Sequence, residues 1–197
     1  MIPVVRATTA DEAMRAIDAI REGGISVLEI TMTVPGAVKV IEEVAQRYGK
    51  DALVGAGTVL DPETASACIS SGAQFIVSPA LNLETIARCR ELDVAVMPGA
   101  LTPTEVVQAW NAGADFVKVF PAGALGGPSY LKSLKAPLPQ IELVPTGGVS
   151  LKTAADFIKA GAVALGVGAD LVQGQRSEIT EKAKQFVEIV RQARKEL

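Results

Sequence analysis

The chain has 197 residues, of which 49% are hydrophobic, and its 19 basic and 22 acidic side chains give a net charge of −3. This length and apolar content suffice for one domain with a substantial core, and the mixed, slightly acidic charge argues against nucleic acid as a partner. The absence of histidine excludes Ser-His-Asp and Cys-His catalysis and histidine metal sites. An enzyme of this composition has to work with Lys, Glu, Asp, Arg, Tyr and hydroxyl groups.

The cysteines and the apolar runs bear on location. Cys68 and Cys89 both fall in predicted helices, where two isolated thiols indicate a reducing compartment. Two cysteines without histidine do not make a standard structural zinc site. No apolar run approaches the length that spans a bilayer, and no signal-like segment opens the chain. We therefore expect a cytoplasmic protein that does not bind membranes.

Strand-like runs alternate with helical patterns along the whole chain. Predicted strands are the eight runs 2–6, 27–32, 53–59, 75–79, 94–98, 116–121, 141–146 and 164–168. Helices are predicted over 9–22, from near residues 35, 61, 82, 102 and 150, and from 177 to the C-terminus.

Capping signals mark where several of these helices begin and end. Thr9 and Glu12 have the spacing of a capping box. Asp61 and Thr102 are each followed by proline, which fits an N-cap and the first helical residue. A glycine that fits a left-handed helix C-cap recurs once per two strand–helix units, so the chain resembles four similar quarters: Gly24, Gly72, Gly113 and Gly161.

The alternation of eight strands with helices predicts an α/β fold with a parallel sheet. Closing that sheet gives a (β/α)8 TIM barrel with eight parallel strands, formed by residues 1–197 as one domain. Such a barrel would be compact, since a typical one has about 250 residues. A doubly wound open sheet is the alternative, and the absence of G-x-G-x-x-G after the first strand disfavours it.

A lysine lies in the middle of the apolar run 116–121. Alternation along a strand puts Phe116, Lys118 and Phe120 on one face. A charged ammonium among aromatic rings is costly unless it is paired or deprotonated. Lys118 is therefore either a structural residue, which snorkels to solvent or neutralises a buried carboxylate, or an amine of lowered pKa that forms a Schiff base.

Other polar side chains fall near the carboxyl ends of predicted strands, where barrels place their chemistry. They are Arg6, Glu29, Thr31, Thr58 and Thr146. Threonine suits any strand, and an Arg–Glu pair can be a structural salt bridge. Six polar groups, including Lys118, that converge on one mouth nevertheless indicate a functional cluster.

Glycine-rich turns follow the seventh and eighth strands, at 146–150 and 166–170. Bare backbone amides at a helix start bind phosphate, and barrels often bind it between these two loops. The alternative is that the glycines serve only tight turns. A third turn, 55–58, predicts close packing and a substrate-facing hydroxyl.

Six motifs together resemble the class I 2-keto-3-deoxy-6-phosphogluconate (KDPG) and 4-hydroxy-2-oxoglutarate (KHG) aldolase family. They span essentially the whole chain: Glu-Ile-Thr at 29–31, Gly-Ala-Gly-Thr-Val at 55–59, Phe-Ile-Val-Ser-Pro at 75–79, Met-Pro-Gly at 97–99, Lys-Val-Phe-Pro at 118–121 and Thr-Gly-Gly-Val at 146–149. The resemblance implies a (β/α)8 barrel, usually a homotrimer. It also implies no metal and no cofactor, because the covalent chemistry uses a Schiff base with the protein.

The resemblance also implies residue roles, with Lys118 as the Schiff-base lysine and Glu29 as the acid–base residue. To substrate binding we assign Arg6, Thr31, Thr58, Pro79, Phe120 and Thr146, and to phosphate binding Gly147, Gly148, Gly168 and Ala169. The expected reaction cleaves a 2-keto-3-deoxy-6-phospho sugar acid to pyruvate and glyceraldehyde 3-phosphate. The same chemistry on 4-hydroxy-2-oxoglutarate or on the galactonate epimer is the alternative. A non-catalytic barrel that binds a phosphorylated metabolite is disfavoured because Lys118 and Glu29 are both present.

The chain departs from the family pattern at three places. Many relatives have an arginine for the substrate carboxylate where this chain has Thr33, and Arg6 is the candidate to replace its charge. Some relatives have a serine in place of Ala169, so phosphate contacts there are expected from backbone. The helix that usually precedes the first strand and covers the barrel floor has no counterpart here, so we expect either a more open floor or a true start that lies upstream.

Overall fold

The computed structural model describes residues 1–197 as nine short strands and nine α-helices. The strands are β1 (Ile2–Val5), β2 (Val27–Thr31), β3 (Leu53–Gly57), β4 (Phe75–Val77), β5 (Ala95–Met97), β6 (Gly99–Ala100), β7 (Val117–Val119), β8 (Leu143–Pro145) and β9 (Gly166–Val167). The helices are α1 (Ala10–Glu22), α2 (Ala37–Tyr48), α3 (Pro62–Ser70), α4 (Leu83–Glu91), α5 (Pro103–Asn111), α6 (Pro128–Lys135), α7 (Ala154–Lys159), α8 (Ala169–Val172) and α9 (Arg176–Lys195). None of the helices is both long and apolar enough to cross a membrane.

The strands form two parallel sheets, which confirms the predicted α/β architecture. Six strands pair in the order β5-β4-β3-β2-β1-β9, and three in the order β6-β7-β8. Only Pro98 separates β5 from β6, because proline has no N–H to continue the ladder. At the other side, a parallel bridge joins Thr146, just beyond β8, to Gly166 of β9.

All eight predicted strands occur, and several element boundaries differ from the prediction. The predicted fifth strand continues beyond Pro98 as β6, and helices α6 and α8 were not predicted. The helix expected near residue 35 begins at Ala37, after a left-handed Gly36.

The helix expected from Ser150 begins only at Ala154, so that prediction is wrong. The Thr153 hydroxyl accepts a hydrogen bond from the Ser150 N–H (2.9 Å) and donates to the Gly148 carbonyl (2.9 Å). These side-chain bonds accompany the backbone bonds from the N–H groups of Thr153 and Ala154 to the Ser150 carbonyl in a turn that precedes the helix.

The caps follow the sequence signals closely. Asp61 accepts from the N–H of Thr64, and Thr102 forms the reciprocal capping box with Glu105. The predicted Thr9–Glu12 box is only half formed, because the Glu12 carboxylate accepts from the backbone and hydroxyl of Thr8 instead. All four C-cap glycines have a positive φ, between 91° and 102°, as predicted: Gly24, Gly72, Gly113 and Gly161.

The buried side chains divide into two layers on opposite faces of the strands. A cluster of 51 residues, including Leu28, Ile30, Val117 and Val119, fills the space between strands and helices. A second cluster of five lies on the opposite, inner face: Ile2, Phe75, Val77, Met97 and Val144. Alternation therefore turns Glu29, Thr31 and Lys118 to the inner face, as predicted.

Candidate active site

Lys118 is buried on the inner face of β7. It lies in register with Gly99 of β6 and Val144 of β8, and 3% of its surface is exposed. Its Nζ lies 5.3 Å from the centre of the Phe120 ring. No ion pair involves it. The lysine therefore does not snorkel to solvent.

Glu29 faces the same interior from β2, and 2% of its surface is exposed. Its Oε1 is buried and has no hydrogen-bond partner in the protein. A buried polar atom left unpaired costs about 1–3 kcal/mol. Such an orphan oxygen is a ready acceptor or donor for a ligand or water.

Burial shifts the pKa values of both residues toward their neutral forms. Desolvation lowers the pKa of Lys118 below its ordinary value of 10.5, with a smaller opposing effect from Glu29 and a lowering one from Arg6. Desolvation likewise raises the pKa of Glu29 above 4.5, and the charges of Lys118 and Arg6 oppose that shift. An uncharged amine is a nucleophile, and a carboxyl group of raised pKa can carry protons near neutral pH.

Thr31 and Thr58 differ in how their hydroxyls are used. The Thr31 hydroxyl donates to the Val5 carbonyl (3.0 Å) and lies 2.6 Å from the hydroxyl of Thr33. Thr58 directly follows β3 with φ +59°, a strained conformation for a β-branched residue. Its hydroxyl forms no hydrogen bond within the protein, so it is free for a ligand.

Pro79 reaches the strand next to Lys118 because residue 99 is glycine. A Cβ at Gly99 would lie 2.2 Å from the carbonyl carbon of Pro79. Since Gly99 is also the register partner of Lys118, the Pro79 backbone packs against the strand beside the lysine.

A cavity of about 510 Å³ opens at the carboxyl ends of β1, β8 and β9. It brings together seven of the predicted site residues: Arg6, Phe120, Thr146, Gly147, Gly148, Gly168 and Ala169. The remaining five do not line it: Glu29, Thr31, Thr58, Pro79 and Lys118. Phe120 links the two groups, because it lines the cavity and contacts Lys118.

A family model described as KDPG and KHG aldolase matches residues 1–190 of the chain. The chain belongs to this family. It is therefore an aldolase, a lyase that acts on small molecules, which confirms the predicted family and enzyme class.

Curated relatives and solved structures agree with this assignment. The chain is 39% identical over 196 residues to 2-dehydro-3-deoxy-6-phosphogalactonate aldolase of Escherichia coli K12, covering 98% of this chain and 95% of the relative. It is 34% identical over 196 residues to 2-dehydro-3-deoxy-phosphogluconate aldolase of Treponema pallidum, covering 96% and 93%. A solved structure described as native KDPGal superposes with a TM-score of 0.93 at 36% identity, covering 98% of this chain and 95% of that one.

In this aldolase, three polar cavity residues were not predicted as site residues: Ser150, Asp170 and Gln173. Asp170 accepts from the Leu151 N–H (3.3 Å) and so ties the turn at 166–170 to the turn at 146–150. Both turns carry glycine motifs, which could have pointed to Ser150 and Asp170. No sequence signal marks Gln173.

The Arg6 side chain is the only cationic one that lines the cavity, and it is exposed. The glycine turns at 147–148 and 168 contribute backbone to the same walls. No group of three or more Asp, Glu, Cys or His side chains is arranged to hold a metal ion. Apart from the Asp170 carboxylate, the polar groups that line the cavity are a guanidinium, hydroxyls, an amide and backbone, which suit it to an anionic group.

Proposed function

We propose that this chain is a class I aldolase that cleaves a 2-keto-3-deoxy-6-phospho sugar acid to pyruvate and glyceraldehyde 3-phosphate through an iminium ion on Lys118. The observation that carries the proposal is the environment of Lys118. It is buried, makes no ion pair and has a lowered pKa, yet it contacts Phe120 of the cavity wall. A buried ammonium without an ionic partner is costly, and a lysine kept only for structure is almost never buried unless it is paired, as Lys118 is not.

We further propose that the two sheets form one closed (β/α)8 barrel. Closure is supported at both places where the two sheets meet. β5 runs on into β6 across Pro98, and a bridge joins Thr146 to Gly166. With β5 and β6 counted as one interrupted strand, the ring has eight strands. The homotrimer and the cytoplasmic location rest on the family resemblance and on composition, and light scattering tests the trimer.

The reaction begins when neutral Lys118 attacks the C2 carbonyl of the substrate, and loss of water gives an iminium ion. Glu29, directly or through one water, removes the proton of the C4 hydroxyl, and the electrons of the C3–C4 bond flow into the iminium. The aldehyde leaves, and the resulting enamine takes a proton at C3. Water then hydrolyses the iminium, which releases pyruvate and restores Lys118. No step needs a metal or a cofactor.

Substrate binding is divided between the two ends of the site. Thr58, with its free hydroxyl, and Pro79, Phe120 and Thr146 lie toward the pyruvate end, and Thr31 supports them through its bond to Val5. Backbone amides of Gly147, Gly148, Gly168 and Ala169 hold the phosphate. Arg6 lines the same cavity as these glycines, so its charge serves either the phosphate or the substrate carboxylate.

The substrate has a second candidate, which releases the same aldehyde. The 39% identity to a phosphogalactonate aldolase favours the galactonate epimer, which undergoes the same bond cleavage with the opposite configuration at one carbon. Cleavage of 4-hydroxy-2-oxoglutarate to pyruvate and glyoxylate uses the same steps without a phosphate.

Borohydride trapping with pyruvate tests the chemistry. The expected result is one irreversible adduct on Lys118, with no adduct and no turnover in Lys118→Ala. Exposed Lys39 provides the matched control, since Lys39→Ala should label and turn over like the unmodified protein. An intact protein that forms no adduct contradicts the proposal.

A substrate panel that contains both epimers and unphosphorylated analogues then ranks the alternatives by kcat/KM and tests the role of Arg6. We expect kcat/KM to fall when the terminal phosphate is removed. If Arg6→Ala lowers kcat/KM only for phosphorylated substrates, Arg6 binds the phosphate, whereas an equal loss for both classes assigns it to the carboxylate. Equal rates with and without phosphate would leave the glycine turns a structural role only.

A further inference from the structure

The Glu29 carboxyl group occupies the space that a side chain at residue 57 would fill. Gly57 is the last residue of β3 and pairs in register with Thr31 of β2. A Cβ there would lie 2.0 Å from Glu29 Oε1 and 2.7 Å from both Cδ and Cγ. Its three nearest atoms therefore all belong to one side chain, that of Glu29.

The backbone does not require glycine at this position. Gly57 is not among the glycines with positive φ, so alanine can adopt its backbone conformation. The other inward glycines of the neighbourhood serve different contacts. A Cβ at Gly55 would collide with the Phe75 ring at 2.3 Å, and one at Gly99 with the Pro79 backbone at 2.2 Å. Only at residue 57 does the missing side chain make room for the carboxyl group of Glu29.

No hydrogen bond fixes the position of that carboxyl group. Glu29 Oε1 is buried without a partner, and no ion pair ties the group to Lys118. Its place is therefore set by the shape of the surrounding wall. A methyl group at residue 57 would push away the end of a flexible side chain, while the strand could stay where it is.

We propose that Gly57 is a positioning residue for Glu29, whose absent side chain sets where the carboxyl group lies and hence the geometry of proton transfer. The inference rests on the proposed role of Glu29 as the acid–base residue. It gives the first glycine-rich turn a catalytic purpose beyond close packing.

The test compares Gly57→Ala with Gly55→Ala, a matched change on the same strand and the same face. Displacement of a catalytic group by about 1 Å can cost about 100-fold in rate. We expect Gly57→Ala to lower kcat by about 10- to 100-fold, with KM within about twofold, and to shift the acid limb of the pH–rate profile. Gly55→Ala should lower thermal stability through Phe75 but leave the pH profile unchanged.

Truncating Glu29 provides the second arm. Glu29→Ala removes Cγ, Cδ and Oε1, the three atoms nearest to a Cβ at residue 57. In this background Gly57→Ala should lower the melting temperature by less than it does in the wild type. If Gly57→Ala alone fails to fold, recovery of folding in E29A/G57A supports the inference, because the three nearest contacts have been removed. An equal loss of stability in both backgrounds overturns it.

A readout independent of turnover separates this inference from the proposed function. The carboxyl ¹³C signal of Glu29, assigned with Glu29→Gln, should titrate at a different pH in Gly57→Ala and at the wild-type pH in Gly55→Ala. If the wild-type protein cleaves no substrate, the proposed function fails, but this titration still tests whether Gly57 positions the carboxyl group of Glu29. An unchanged titration in Gly57→Ala overturns the positioning role.

Discussion

Lys118 and Glu29 both lie buried on the inner face of the strands, and each shifts the pKa of the other although no ion pair joins them. Desolvation is the largest effect on each residue, and it acts in opposite directions on the two pKa values because it favours the neutral form of both. A nucleophilic amine and a proton carrier thus arise from the same burial.

The lowered pKa of Lys118 predicts how adduct formation depends on pH. Only the neutral amine attacks a carbonyl, so the initial rate of pyruvate trapping should rise with pH. The midpoint of that rise should lie below pH 10.5. Glu29→Gln should move that midpoint further down, because the carboxylate raises the pKa of Lys118. Arg6→Ala should move it up, because the guanidinium lowers that pKa. Midpoints that move in the same direction in the two variants would contradict this electrostatic picture.

The raised pKa of Glu29 predicts a cost to stability at higher pH. Between 4.5 and its raised value in the folded protein, the folded state binds more protons than the unfolded state. The contribution of the Glu29 carboxyl group to stability is therefore present below pH 4.5, and it is lost as the pH rises through the pKa of this group in the folded protein. Glu29→Gln should raise the melting temperature more at pH 8 than at pH 4, measured by calorimetry. A gain of equal size at both pH values would show that the burial of the charge is not the cause.

The strained backbone of Thr58 predicts opposite effects on stability and activity. Thr58 has φ +59°, where glycine avoids a steric cost of about 1–2 kcal/mol. Thr58→Gly should therefore stabilise the fold by about 1 kcal/mol in chemical denaturation and lower kcat/KM, because the free hydroxyl is lost. Asp93 is the control, since it has φ +53° and is exposed, away from the site. Asp93→Gly should stabilise less, because aspartate tolerates this region better than threonine, and should leave activity unchanged, whereas equal activity in both variants would remove Thr58 from the site.

The Thr153 hydroxyl predicts a link between one turn and phosphate binding. It bonds both Ser150 and the Gly148 carbonyl, and so holds the glycine turn that lines the cavity. Thr153→Ala should cost about 1 kcal/mol of stability and raise KM for a phosphorylated substrate, while kcat changes little. Thr153→Ser keeps the hydroxyl and should behave like the wild type. If the alanine variant raises KM equally for unphosphorylated substrates, this turn does not bind the phosphate.

Local residue patterns were sufficient to predict much of this aldolase. The alternation of side chains in 27–32 and 116–121 correctly predicts that Glu29 and Lys118 face the interior. It does so because successive side chains along a strand point to opposite sides whatever the tertiary fold. Asp61 and Thr102 were recognised as caps because an N-cap bonds an N–H only a few residues away. The combination of six motifs led to the family, which the comparisons confirm.

The contacts between distant segments were decided only by the tertiary structure. Ser150 was expected to begin a helix, but the Thr153 side chain holds a turn there. Gln173 lines the cavity without any motif, because α8 brings it to a cavity that the distant turn at 146–150 also lines. For Gly57, the sequence predicts only that the turn packs closely against its neighbours. Its meaning depends on Glu29, which lies on a neighbouring strand 28 positions earlier in the chain, and a clash across strands cannot be read from local spacing. The sequence alone determined which side chains face inward, and packing between strands decided how much room each one has.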